Sequence, residues 1–584
     1  MTSRYGDLKM KNIWEFCKAK YVYLICFIHF LVSCIWSRFF FISIRENTGS
    51  ENIAYKFKNT GITLETDTLS RALCWTYSHI LAILIIAAFW NWIFFLTRSW
   101  RNSVVKRKYI ALLFVFIVTG IVLITALYPS TLTTPPDTRW NYVYAKEWLP
   151  MYWHGFLTNV VHCACLLVFP HPIAMSIIPF LFGINVIAYF TYHTVIRYAK
   201  KHKIFCGLLW AAILLLMPET FQVLTYAGRN YMYAILSTSV LGVLLKDHLE
   251  NRDLDKKKFI LLSFLEVCLA TWRSEGIIYF ILYPFMLCFV YFSKKTAPGK
   301  TQLIKGIGYL CVLYLLFSLP GKYGNEKYQG YDYFIINTPG ALSAVLKNDK
   351  ANVTYDGADI DWSKINQVIP LDYIYNYGDS ATINYNWDSG RLHRQCNAGI
   401  SGRDYVMAAY RLLLRNGHIF FKYQINMYFY SIGLPYLPVG SAKQWEPQEA
   451  GSQKQSWVLE YYMIGQSDMT ENYGIVFLNQ KIDGWIREKV SMLTSLVYRL
   501  GWSCSGFVKI AVTLATVVLS VIFLKKKVWI YTFWGLAITG LLAVIILASP
   551  GGRENYYYSV YYNQYWFLLF AGIWLKKMKT EESV

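Results

Sequence analysis

Apolar runs recur along this chain at lengths close to the thickness of a bilayer, and that repetition limits the fold more than any motif does. A helix needs about 20 apolar residues to cross the hydrocarbon core, and roughly twelve stretches approach that length. They are Tyr21 to Ile42, Trp75 to Leu96, Tyr109 to Tyr128, Ile173 to Ile196, Ile204 to Met217 and Tyr231 to Leu245. Phe259 to Thr271, Ile277 to Phe292, Ile307 to Leu319, Val508 to Leu524, Val528 to Leu547 and Ser559 to Leu575 complete the set. The expected fold is therefore an all-α polytopic membrane protein with about twelve transmembrane helices. Only 16% of the residues are charged, while 18% are aromatic. Soluble domains run near 25% charged, so a purely soluble protein is disfavoured. The 12 cysteines lie mostly inside apolar runs and form no CxxC pair, which excludes a secreted disulfide scaffold. The first apolar run is long and lacks a small-residue cleavage site, so a cleaved signal peptide is not expected.

The net charge of +22 suggests an acidic partner until the basic residues are placed between the spans. They gather in every second gap. Lys9 and Lys18 precede the first span, Arg98 and Arg101 follow the second, and Arg197, Lys200 and Lys246 to Lys258 continue the series. Lys294, Lys305, Lys525 to Lys527 and Lys576 to Lys579 close it. The positive-inside rule puts this face in the cytoplasm together with both termini. Topology accounts for the charge, and no nucleic-acid partner is implied.

This sidedness requires Trp153 to Phe169 not to cross. The segment is bounded by Pro150 and Pro170 and carries His154, Asn159 and His162, so it is expected as an amphipathic helix lying in the outer interface. Three regions then face outward: the loop from Pro129 to Trp153, a mostly polar section of mixed structure over residues 321–505, and the turn Ser549 to Tyr558. Within the polar section, Asp404 to Arg415 has apolar residues at helical spacing. The chain divides into an N-terminal hairpin (1–108), a transmembrane module with an acidic outer loop at 129–172 (109–320), an extracytoplasmic domain (321–505) and C-terminal transmembrane helices (506–584).

Several polar residues sit inside or beside these spans. Glu266 lies mid-span in FLEVCLA, where insertion scales put a carboxylate at a cost of about 2.5 kcal/mol or more unless it is paired or faces a cavity. An interhelical hydrogen bond would explain it as well as a functional role. Arg273 and Glu275 end the same span and fit a mutual ion pair. Glu219 and Arg229 flank another outer turn, and Arg553 precedes the tyrosines 556–558, as an interfacial anchor would.

The order of these residues resembles the bacterial membrane glycosyltransferases of the GT-C superfamily, which use polyprenyl-phosphate-linked sugars. Pro135-Pro136-Asp137 lies in the outward loop, followed by Trp153-His154. Pro218-Glu219 leads to Arg229-Asn230, LATWRSEG ends a span at Gly276, Tyr410 to His418 leads into Tyr423, and Arg553 precedes Tyr556 and Tyr557. The likeness runs from Tyr109 to the C-terminus. The chain departs from the family in three places: two extra spans lead it, Arg229-Asn230 stands where Lys-Asp is expected, and Trp153-His154-Gly155 replaces Trp-His-Pro.

The resemblance implies an inverting transfer of a monosaccharide from a polyprenyl-phosphate donor to a cell-envelope glycan or teichoic-type polymer, on the outer face of a bacterial plasma membrane. Asp137 would be the general base, with Glu147 in reserve. A carboxylate suits that work because it can accept the acceptor hydroxyl's proton as the bond forms. Asp137 also fits as the cap of a helix starting at Thr138. Arg139, Arg229, Arg273 and Arg553 would bind the donor phosphate, which guanidinium groups grip bidentately. Trp153, His154, Glu219, Glu275, Tyr556 and Tyr557 would complete the substrate site, with Trp140, Tyr142, Tyr144 and Trp148 available for sugar stacking or for an interfacial belt. The pattern requires no cofactor and leaves a divalent ion open. A Wzy-like polysaccharide polymerase and a non-enzymatic lipid or polysaccharide transporter are the competing assignments. The absence of paired inverted repeats disfavours the transporter.

Overall fold

The computed structural model describes residues 21–37, 68–102, 104–126, 148, 156–199, 202–215, 229–252, 256–292, 300–328, 333–377, 402–432, 480–548 and 557–582. Among them there are helices and no strand. In chain order these are α1 (Tyr21–Ser37), α2 (Thr68–Asn102), α3 (Val104–Ala126), α4 (Phe156–Val168), α5 (Ala174–Thr191) and α6 (Lys203–Leu215). Then come α7 (Arg229–Leu249), α8 (Lys256–Trp272), α9 (Ile277–Leu287) and α10 (Lys300–Tyr328). The polar section holds α11 (Tyr333–Leu346), α12 (Ala358–Val368), α13 (Leu371–Tyr377), α14 (Gly402–Arg415) and α15 (Gly417–Ser431). The last three are α16 (Gln480–Lys525), α17 (Trp529–Ala548) and α18 (Tyr558–Glu582). A π-helical turn, Tyr192–Ile196, extends α5, and a second, Cys288–Phe292, extends α9.

The described part of each apolar run read from the sequence lies largely on a helix, yet only five described helices are long and apolar enough to cross a membrane. These lie at Thr68–Thr97, Ala174–Ile196, Lys305–Tyr323, Gly506–Lys525 and Trp529–Leu547. The expected count of about twelve is therefore not reached on those criteria. Within the described residues, α6, α8 and α9 are short of a full crossing at 1.5 Å per residue, and α7 and α18 interleave Tyr, Ser, Thr, Asn and Gln among their apolar residues.

Those polar residues are spent on packing. In the α7–α18 interface, Asn563 Nδ2 donates to Ser237 Oγ at 2.6 Å, and Thr238 Oγ1 donates to Asn563 Oδ1 at 3.1 Å. Gly183 on α5 lets the Tyr231 ring of α7 lie against the backbone; a Cβ there would sit 1.8 Å from the phenol oxygen. At the opposite end of α7, Arg197 and Arg252 both pair with Glu250, Lys258 pairs with Asp247 at 2.8 Å, and Lys577 donates to the Leu249 carbonyl at 3.1 Å. Some of the basic residues that set the predicted topology thus also tie α5, α7, α8 and α18 together.

The segment expected as an amphipathic interfacial helix is different. In α4 every residue except Val161 is buried, including Asn159 and His162. Helices α2, α5, α8 and α10 pack around it, and the Val168 carbonyl accepts hydrogen bonds from His29 and Ser33 of α1. The extra N-terminal hairpin covers what would otherwise be its exposed side. Flanking prolines and a histidine mark a short helix but say nothing of a cover contributed from more than 100 residues away.

The section predicted to have mixed structure shows helices joined by turns, such as residues 347–357, and no strand among its described residues. Its α14 buries Tyr405, Ala408, Ala409, Leu412 and Leu413, positions spaced three and four apart on one stripe. Against that stripe pack α11 and α12. Buried Asp361 is held by Arg411 at 3.3 Å and by the Tyr355 hydroxyl, which donates to it at 2.5 Å. Burial and this bond push the Tyr355 phenol up to about 12. The unit joins the rest of the molecule through Tyr428, whose hydroxyl lies 2.9 Å from that of Tyr561. Helix α16 runs unbroken from Gln480, through the boundary expected near 505.

Candidate functional site

Four of the residues predicted to carry function are described: Arg229, Arg273, Glu275 and Tyr557. Asp137, Arg139, Glu147, Trp153, His154, Glu219, Arg553 and Tyr556 lie outside the described residues, as do Trp140, Tyr142 and Tyr144. Trp148 is described; it has a left-handed backbone (φ 56°) and its ring stacks on His79 with centroids 5.6 Å apart.

Arg229, Arg273 and Glu275 come together. Arg229 opens α7, and Arg273 follows the last residue of α8. The two helices pack side by side and are locked at this end by Trp272, whose Nε1 donates to the Arg229 carbonyl at 2.7 Å. Arg273 Nε meets Glu275 Oε1 at 2.5 Å, its Nη1 donates to Asn230 Oδ1, and its guanidinium lies over the Tyr233 ring at 5.7 Å. Both members of the ion pair are largely enclosed, with side chains 6% and 13% exposed. A pair this enclosed is screened far less than a surface pair.

The backbone makes the pair possible. Ser274–Gly276 forms one 3-10 turn between α8 and α9, and the Gly276 amide donates to the Arg273 carbonyl at 2.9 Å. Gly276 presses against the end of α8: a Cβ would stand 2.4 Å from the Leu269 carbonyl oxygen. Only glycine allows this approach. Arg273, Glu275 and Gly276 of the RSEG sequence are therefore one structural unit: anchor, partner and pivot.

Tyr557 is elsewhere. It is buried against Tyr428, ring centroids 5.3 Å apart, where the unit of α11–α15 meets α18. Its observed neighbours make it a junction residue.

Two partners of Arg273 were not singled out from the sequence. In the sequence Asn230 is only half of a departure from Lys-Asp, and Tyr233 belongs to no motif. Their helical register gives a usable signal, since Arg229 and Tyr233 are four apart on one face of α7. Along α8, Glu266 lies seven residues before Arg273, hence on the same face about two turns below it. Glu266 is 1% exposed and its Oε1 has no hydrogen-bond partner, so the interhelical bond allowed by the sequence is absent at that atom. Among the described residues no three His, Cys, Asp or Glu side chains converge in a way that could hold a metal ion. Comparison with protein-family models, with curated proteins and with solved structures finds no match to the chain.

Proposed function

We propose that the chain is a multi-pass membrane glycosyltransferase of GT-C type, with about twelve spans, both termini in the cytoplasm and its site on the extracytoplasmic face of a bacterial plasma membrane. It moves a monosaccharide from a polyprenyl-phosphate donor to a cell-envelope glycan or teichoic-type polymer, with inversion. The observation that carries this reading is the enclosed Arg273–Glu275–Asn230 cluster, with Arg229 beside it, at one end of two packed membrane helices. A lipid-linked phosphate needs cations of this kind at the edge of the bilayer, because its tail stays among the helices while its headgroup leaves them.

In this mechanism Arg273 is preoriented by Glu275 and the Tyr233 ring, and the donor phosphate takes over one edge of the guanidinium as Glu275 yields. Arg229, Arg139 and Arg553 add positive charge around the departing phosphate. Asp137, with Glu147 in reserve, removes the acceptor hydroxyl's proton. Trp153, His154, Glu219 and Tyr556 shape the sugar and acceptor sites.

The test uses the purified full-length protein in detergent, with synthetic polyprenyl-phosphate monosaccharides and an envelope-glycan acceptor. Wild type is expected to transfer sugar, and Asp137→Asn to lose about 100-fold or more, as loss of a positioned base does. Undiminished transfer by Asp137→Asn removes Asp137 as base. Absence of transfer by wild type with every donor overturns the enzyme assignment in favour of transport.

A further inference from the structure

One face of the α11–α15 unit is unlike the rest of it. Opposite the buried stripe of α14, Arg403, Met407, Arg411 and Leu414 recur at spacings of four and three, and all are exposed. The helical path carries on through Asn416: its amide donates to the Leu412 carbonyl at 3.1 Å, and its carbonyl accepts from Phe420 at 3.0 Å. The spacing carries on too, since Leu414, His418, Phe421 and Ile425 lie four, three and four apart and are exposed, with Lys422 beside them. Met407, Leu414, Phe421 and Ile425 are between 42% and 63% exposed. Helix α12 of the same unit supplies the contrast. It exposes Asp359, Ser363, Asn366 and Gln367, with Ile360 as its one exposed large apolar side chain.

The face is also basic. Residues Gly402 to Ser431 carry Arg403, Arg411, Arg415 and Lys422 against a single carboxylate, Asp404. Its place in the fold narrows the partner. Ile425 is one turn before Tyr428, which meets Tyr561 in the first turn of α18, and α15 packs against α17. The stripe therefore begins beside the ends of two membrane helices. Exposed apolar side chains recur along both α14 and α15, as on helices lying in the plane of an interface. Arg and Lys on such a surface extend their charged ends to phosphates while their stems stay among apolar groups.

We propose that the α14–α15 face docks on the bilayer leaflet at this end of α17 and α18, which is the outer leaflet in the orientation proposed above, and that it recognises anionic phospholipid headgroups. The docking is independent of the sugar-transfer assignment. A soluble acidic polymer would satisfy the cations but leave Met407, Leu414, Phe421 and Ile425 in water; an anionic bilayer accommodates both sets.

The test uses the full-length protein in vesicles of mixed phosphatidylcholine and phosphatidylglycerol that contain a phospholipid with a diazirine near the top of one acyl chain. After illumination, adducts are mapped by peptide mass spectrometry. Residues 403–425 are expected to carry them, and α12 is expected to stay nearly clean. Replacing phosphatidylglycerol by phosphatidylcholine should lower the yield on 403–425 about fivefold, the equivalent of one basic residue's attraction to an anionic surface. The double variant Leu414→Glu/Phe421→Glu should lower it about tenfold. Both side chains are already exposed, so its Tm in detergent should match wild type. Adducts on 403–425 no more frequent than on α12, or undiminished in the double variant, would overturn the proposal. So would crosslinks between two copies of the chain in their place. Adducts removed by soluble polyglycerol phosphate would assign the face to an acidic polymer instead, and a yield unchanged in phosphatidylcholine alone would overturn the headgroup recognition. Labelling of wild type decides the matter even if the variant fails to fold.

Discussion

The peripheral helices and the central ones use opposite chemistry. Only 17% of the apolar stretch is buried in α2 and in α10, and 22% in α16, so Ile83, Leu84, Leu315, Leu316, Leu514 and Val518 look outward. The centre is built from α4, α7, α8 and α18, whose buried residues include Asn159, His162, Ser237, Thr238, Glu266, Asn563 and Gln564. A soluble protein places its polar residues outside; here they are inside. In hydrocarbon, apolar contact is available everywhere and does not select a partner, so polar groups and close packing make helix association specific. The difference teaches where to look for chemistry: in the less hydrophobic helices, where every polar side chain must have a partner or a purpose.

The comparison can be broken in several places. The largest effect is expected at the RSEG pivot. Gly276→Val places side-chain carbons against the Leu269 carbonyl, where a Cβ alone already falls at 2.4 Å. Overpacking of this kind costs about 3 kcal/mol. The same change should pull Glu275 away from Arg273, so sugar transfer should fall more steeply than the folded fraction measured by thermal melting. Equal losses in the two measurements would make Gly276 a packing residue only.

The next effect is expected at the α7–α18 seam. Asn563→Ala leaves Ser237 and Thr238 without the amide that joins them, a loss of about 2 kcal/mol for buried polar partners left unsatisfied. As the matched control, Ile83→Ala on the exposed side of α2, where Ile83 is 46% exposed, should change stability by about 0.5 kcal/mol or less. Melting curves of the two variants in one detergent make the comparison. If Ile83→Ala were the more damaging, the division between an inert rim and a specific centre would fail.

The sequence reading and the structure agree most where hydropathy is the whole signal. Thr68–Thr97, Ala174–Ile196 and Trp529–Leu547 stand out in the bare sequence and are long apolar helices. Agreement weakens toward the centre. A buried helix such as α4 has the composition of an interfacial one, and only its packing against α2, α5, α8 and α10, with the hydrogen bonds from His29 and Ser33 of α1 to its Val168 carbonyl, shows that it is covered. Of the candidate site, the pairing of Arg273 with Glu275 was readable because the residues are two apart. Asn230 and Tyr233 were not, because the approach of α7 to α8 is a tertiary event. Glu266 stands out in the sequence by its mid-span position, but its complete burial at 1% exposure is a product of tertiary packing. The glycine pivot shows the same limit: Gly276 is one residue of a motif in sequence, and its role appears only in the 2.4 Å that a Cβ would leave.

The central claim is that the polar centre, and not the apolar rim, receives the lipid-linked substrate at the Arg273 end. It is tested most directly by photo-crosslinking the full-length protein with a polyprenyl phosphate that carries a diazirine beside its phosphate, and by mapping the adducts. The account predicts adducts on residues 229–233, 273–276 and the neighbouring start of α9, lost when excess unlabelled polyprenyl phosphate is added. Adducts confined to the outward faces of α2, α10 and α16, undiminished by that competitor, would contradict it.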